Sequence, residues 1–231
     1  MVRIFPSLQS TDEIDNGPDV KPNNILVRTT EDDTGLRVEQ VQLIDLEDAA
    51  HVPPGTALRG MQLGNWMWRS PESHAEGPIE KPSDMFSFGI VVRAHRIAPP
   101  TLQTPTNRIS VLQCIYTILQ ATIFAVDESA LPPEIDKLAV VLERQISYFA
   151  DEDGMRGFQD YIGADSPWHE IFLVIQKGFG EVQPRRPFEL WQGQGMDDAD
   201  FKDLIRALTK LDPGKRLTAR RALSHKWFEG L

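Results

Sequence analysis

The sequence predicts a mainly helical α+β domain with one small β-pair near its N-terminus, and three observations lead there. Phe201, Leu204, Ile205 and Leu208 recur at i, i+3, i+4 and i+7, the spacing of a helix face turned to a core. Asp84-Met-Phe-Ser-Phe-Gly-Ile-Val-Val92 is apolar nearly all round, as a helix buried on every side must be. Two short apolar runs, Asn24-Ile-Leu-Val27 and Leu36 to Ile44, flank the polar stretch Thr29 to Gly35 and predict two strands joined by an exposed loop.

The remaining elements follow in chain order. Residues 1–18 show no sustained helical or strand period and are expected to be irregular, ahead of one domain over 19–231. Asp48 to Ser73 scatters Pro, Gly and isolated aromatics, which predicts a long ordered loop. Ser83 is the expected N-cap of the apolar helix. Residues 93–113 then break the trend with Pro99, Pro100, Pro105 and many Thr and Asn, and they read as a foreign insert, because removing them joins Val92 to the apolar run from Cys114. A Pro inside a helix costs about 3 kcal/mol or more, so the stretch must loop out or break the helix. Two readings stay open for it: an intron-derived or recent insertion with no packed structure, or a regulatory loop. Leu131 to Phe149 carries Ile135, Leu138, Leu142 and Ile146 on one helical face, and a further helix fits Pro167 to Gln176. A turn at Asp212-Pro-Gly214 and a short helix from Thr218 close the chain.

Composition excludes several classes. Against 24 Lys plus Arg stand 34 Asp plus Glu, a net charge of -10 that lacks the basic footprint of a nucleic-acid binder. Cys114 is the sole cysteine, so no internal disulfide forms. His51, His74, His95, His169 and His225 are too scattered for a zinc site. Met1 to Glu13 has no signal-peptide pattern, and no window approaches the roughly 20 apolar residues of a membrane span. The expectation is a soluble intracellular protein, cytoplasmic or nuclear.

The chemistry concentrates in Asp19-Val-Lys-Pro-Asn-Asn24, where a carboxylate, a Lys two residues on and an Asn five residues on sit just before a predicted strand. Phosphoryl transfer uses such a set: an acid to accept a hydroxyl proton, a cation to steady the transferring phosphate, and an amide oxygen for magnesium. Alone, the hexamer could equally be a turn with an Asx cap. Downstream, Leu43-Ile-Asp45 places an acid at a strand end. Gly64-Asn-Trp-Met-Trp-Arg-Ser-Pro-Glu72, Lys81-Pro-Ser-Asp84-Met-Phe-Ser-Phe-Gly89 and Leu211-Asp-Pro-Gly-Lys-Arg216-Leu-Thr-Ala219 with Ala222-Leu-Ser-His225-Lys-Trp-Phe228 follow in order.

Together these segments resemble the C-terminal lobe of a eukaryotic-type Ser/Thr protein kinase from Asp19 to Phe228, with gaps. The resemblance implies a kinase-like lobe that transfers the γ-phosphate of Mg-ATP to a protein Ser or Thr hydroxyl, so the implied cofactors are ATP and magnesium. By position it makes Asp19 the catalytic base, Lys21 the phosphate contact, and Asn24 and Asp45 the magnesium ligands. It also implies a buried ion pair between Glu72 and Arg216, against the alternative of two exposed charges, and a helix-start role for Asp84 in which capping and hydrogen bonding to the catalytic loop are equally compatible. The implied partner is a protein, as substrate or as bound module, with no nucleic acid and no membrane.

The pattern also departs from that family. Gly17-Pro18 stands where the family has His-Arg, Asp45-Leu46-Glu47 replaces Asp-Phe-Gly, and Asn65, Trp68 and Ser70 replace Thr, Tyr and Ala. The residues before Asp19 hold no Gly-rich loop and no strand Lys of the kind that clamps ATP, so the N-terminal β lobe is expected to be absent and the chain inactive alone. A non-catalytic pseudokinase-type interaction module is the competing class, and an incomplete translation of an active parent is a third reading. Two other segments imitate functional loops. Lys177-Gly-Phe-Gly-Glu-Val182 echoes a Gly-rich loop but reads as a helix-ending turn, and Asp151-Glu-Asp-Gly154 misses the EF-hand spacing and reads as a solvated acidic turn.

Overall fold

A computed structural model describes residues 20–32, 35–46, 49–50, 52–53, 55–91, 94–96, 110–112, 122–193 and 196–229. The N-terminal segment and Asp19 lie outside the described residues. Strand β1 (Ile25–Asp32) pairs antiparallel with β2 (Gly35–Leu43), from Ile25 opposite Leu43 out to Asp32 opposite Gly35. The polar stretch expected as a loop from Thr29 is therefore mostly strand. A shift of register between Arg28 and Thr29 lets the ladder continue through it.

No helix or strand forms between Gly55 and Ser70, where the loop was expected; a single bridge from Leu58 to Ile79 ties it back to the chain. A one-turn helix α1 (Pro71–His74) follows, with Pro71 at its first position and the Ser70 hydroxyl accepting from the Ser73 N–H. The apolar helix α2 (Lys81–Val91) starts earlier than expected, so Ser83 is not its N-cap but lies inside its first turn. Two three-residue strands, β3 (Ala94–Arg96) and β4 (Ser110–Leu112), then pair antiparallel, a second β-pair that the sequence did not predict. Ala94 opposite Leu112 brings the two ends of the 93–113 stretch to one ladder, and β4 lies against β2. Residues 97–109 and 113–121 lie outside the described residues.

The helical remainder comprises α3 (Lys137–Phe149), α4 (Glu152–Ile162), α5 (Trp168–Gly178), α6 (Ala199–Leu208) and α7 (Ala219–Leu223). Asp136, Asp151, Asp198 and Thr218 cap α3, α4, α6 and α7 by accepting backbone N–H bonds. The acidic turn at Asp151 is thus the start of a helix: its Oδ1 accepts from Gly154 N at 2.6 Å, and its other oxygen meets Lys210 Nζ at 3.1 Å. Helix α5 ends at Gly178, where the false Gly-rich loop begins its turn.

Helix α2 is the centre of this arrangement. Phe86, Ile90 and Val91 join Trp68, Phe124, Val141, Phe149, Phe188 and Phe201 in one core, while Leu142, Ile146, Met155, Phe158 and Phe172 form a second beside it. Burying one such large side chain contributes about 1.5–3 kcal/mol. Gly89 is required where α2 meets α6, since a Cβ there would stand 2.8 Å from Thr209 Cγ2 and 2.9 Å from Leu208 Cβ.

One polar contact crosses this core. Arg216, buried, meets Glu72 with a two-pronged pair at 2.5 and 2.7 Å. Its other N–H groups donate to the carbonyls of Pro82 (2.9 Å), Lys210 (2.6 Å) and Leu211 (3.0 Å), and its guanidinium carbon lies 5.1 Å from the Phe86 ring centre. All five donors are engaged, so the desolvated cation is fully compensated. Arg216→Ala is expected to destabilise the chain by roughly 3–5 kcal/mol, because Glu72 is left buried and uncompensated. Denaturant melts of Arg216→Ala, Glu72→Ala and the double variant check this: strong non-additivity is expected, and additive losses would contradict the coupling.

Candidate functional site

The site is built at the open end of the β1–β2 hairpin, where β1 starts and β2 ends, next to the segment that precedes it. Lys21 is extended, and Pro22 then opens a single 3₁₀ turn over Pro22–Asn24 that closes with Asn24 N donating to Lys21 O at 3.0 Å. Asn24 is buried, and its carbonyl accepts from Ile44 N at 2.9 Å. That bond continues the ladder one step beyond the pair Ile25–Leu43, so the residue after Asn24's partner is Asp45. The strand register thereby delivers Asn24 and Asp45 to one end of one hairpin.

Asp45 leaves the ladder with φ of 63°, a left-handed backbone that Asp tolerates better than most residues but that still costs energy. Its carboxylate is half exposed, and Lys21 Nζ lies 3.9 Å from Oδ2. Three of the four expected residues therefore gather here, and the fourth, Asp19, is outside the described residues. Asn24 and Asp45 offer the hard oxygen donors that suit magnesium. They supply one negative charge between them, and among the described residues no group of three or more His, Cys, Asp or Glu could hold an ion. Water and phosphate oxygens would have to complete the shell. Leu26, Ile44 and Leu46 add exposed apolar surface on the same hairpin end.

The Gly64–Glu72 segment is held rigidly below. Asn65 Oδ1 accepts from Met67 N (3.0 Å) and its carbonyl from Trp68 N (2.8 Å), forming an Asx-type turn. Trp68 is buried, Ser70 Oγ bonds Ser83 Oγ at 2.6 Å, and Gln145 Nε2 reaches from α3 to Arg69 O at 3.0 Å. The departures at Asn65, Trp68 and Ser70 are thus accommodated by local hydrogen bonds and packing. Asp84 lies half-buried in the first turn of α2. Neither Gln145 nor the Ser70–Ser83 contact is legible as a functional feature in the sequence. The available signal was Gln145, a polar residue one position before Ile146 in an otherwise apolar face.

A family model described as Protein kinase domain matches residues 18–228. The chain belongs to the protein kinase domain family. A search of curated proteins returns no match.

Below the segment, burial and then the Arg69 guanidinium lower the His74 pKa to about 3, with the Trp66 backbone acting in the opposite direction. In the unfolded chain His74 takes up a proton near pH 6.5, whereas in the fold it stays neutral down to about 3. The unfolded state binds the extra proton between those values, so this residue's contribution to stability falls as pH drops through that window. Denaturant melts from pH 7 to pH 5 are expected to show a loss of roughly 1 kcal/mol per pH unit that His74→Leu removes; identical pH slopes would refute it.

Proposed function

We propose that this chain is the catalytic-loop and substrate-binding lobe of a protein Ser/Thr kinase. The observation that carries the reading is the Asn24–Ile44 backbone bond, which brings Lys21, Asn24 and Asp45 to one hairpin end within a chain of the kinase family. In this reading Asp19 accepts the proton of the attacking hydroxyl, Lys21 contacts the transferring phosphate, and Asn24 and Asp45 hold magnesium. Magnesium, when bound, neutralises charge on the phosphate oxygens. The exposed Leu26, Ile44 and Leu46 suit the apolar face of a nucleotide base or of a covering lobe. Lys21-Pro22 resembles the Ser/Thr-directed pattern, which favours Ser and Thr over Tyr as acceptors.

No part of the 231 residues carries the Gly-rich loop or the strand Lys that clamp ATP phosphates, so the chain alone is read as inactive. A non-catalytic interaction module is the second reading, and Glu47 in place of Gly beside the metal ligand favours it. Radiolabelled transfer from ATP to protein substrates separates the two. The purified chain is expected to transfer nothing. Fused to a nucleotide-clamping lobe from an active kinase, it is expected to phosphorylate Ser and Thr and to lose at least about 100-fold on Asp19→Asn. A fused protein that binds ATP yet stays silent would establish the module instead.

A further inference from the structure

Helix α5 packs on α3 and turns Phe172 fully into the core beside Leu142 and Ile146. On its opposite side Glu170, Ile171, Val174, Lys177 and Gly178 are all exposed, Ile171 at 42% and Val174 at 59%. With about 100° between successive residues, these five fall within one stripe about 120° wide, and Val174 stands near its centre. Single exposed aliphatic residues are ordinary on a protein surface, so Ile171 and Val174 alone would signal nothing. The charges beside them decide the matter. Neither Glu170 nor Lys177 has an ion pair or a side-chain hydrogen bond among the described residues. The places from which a helix pairs such charges, Val174 after Glu170 and Leu173 before Lys177, are apolar.

We propose that this stripe of α5 docks against the same stripe of a second copy of the chain, antiparallel, with the two-fold axis passing between the two Val174 side chains. Such an axis sets a residue that precedes Val174 opposite one that follows it at the same distance, on the same edge of the stripe. Glu170 lies four positions before Val174 and Lys177 three after, about 6 Å and about 4.5 Å along the helix, and both lie on one edge. Each Glu170 therefore meets Lys177 of the second copy, and symmetry makes that contact twice. Ile171 and Gly178 occupy the other edge at matching distances, so each Ile171 is set over Gly178 of the second copy. A Cβ at Gly178 would meet nothing within 4 Å, which leaves open space for that side chain. A parallel pairing would instead oppose Glu170 to Glu170 and Lys177 to Lys177, and like charges disfavour it. Charge and shape together select a second copy as the occupant, in one orientation. One helix pair buries less than the roughly 1,600 Å² of a standard interface, so the dimer is weak and depends on concentration. The inference is independent of the hairpin-end site.

Sedimentation equilibrium of the 231-residue chain tests it. Wild type is expected to pass from monomer to dimer as concentration rises, and Val174→Glu, which sets two like charges at the axis, is expected to stay monomeric. Glu170→Lys and Lys177→Glu are each expected to weaken self-association about tenfold, because either change makes both edge contacts like-charged. Mixing these two variants is expected to restore the dimer, since every edge contact between them again joins opposite charges. All three substitutions fall at exposed positions, so thermal melts matching wild type are expected, and unfolding does not imitate a lost dimer. A wild type that remains monomeric at the highest concentration, or a dimer that Val174→Glu leaves intact, would overturn the proposal. So would a mixture of Glu170→Lys and Lys177→Glu that associates no better than either variant alone.

Discussion

Arg216 and Glu72 form the contact on which the rest of the lobe depends. They stand 144 positions apart, so their pairing fixes the long central loop to the closing helices across the whole core. Desolvation makes an isolated buried guanidinium costly, and only the complete set of five acceptors makes this one tolerable. Because one acceptor is the Pro82 carbonyl at the start of α2 and another is Glu72 in α1, the same side chain sets the spacing between the segment Gly64–Glu72 and the central helix. The Ser70–Ser83 bond repeats that connection a few residues away.

The site obeys a different constraint. Ladder register places Asn24 beside the strand end that releases Asp45, and a slip of one residue would break the Asn24–Ile44 pairing that sets them side by side. Membership of the protein kinase family covers the segment that holds this hairpin end, where Lys21 Nζ lies 3.9 Å from Asp45 Oδ2. The frame and the site meet through Val20 and Trp68, which share the core cluster that holds α2.

Much of this was legible in the sequence, for identifiable reasons. The face of α6 was readable because Phe201, Leu204, Ile205 and Leu208 are all buried and spaced as one helix requires. The Glu72–Arg216 pair was visible only through motif resemblance, since no spacing rule links residues so distant. Helix α4 was not legible, because Gly154 and Gly157 lower its intrinsic propensity and its acidic start imitates a turn. Tertiary packing overrides that preference: Met155, Phe158 and Ile162 are buried, and a Cβ at Gly157 would stand 2.2 Å from the Asp212 carboxylate. The Ser83 contact depends on Ser70, thirteen residues away, and so lay beyond any local cap rule.

The central claim is that Asn24 and Asp45 form a metal–phosphate site at the hairpin end. Crystals of the 231-residue chain grown with Mn²⁺ and a non-hydrolysable ATP analogue allow the metal to be located by anomalous scattering. A Mn²⁺ peak about 2–2.5 Å from both the Asn24 side-chain oxygen and an Asp45 carboxylate oxygen, with Lys21 turned to phosphate, is the expected result. A Mn²⁺–nucleotide complex bound elsewhere, with Lys21 still paired to Asp45, would contradict it.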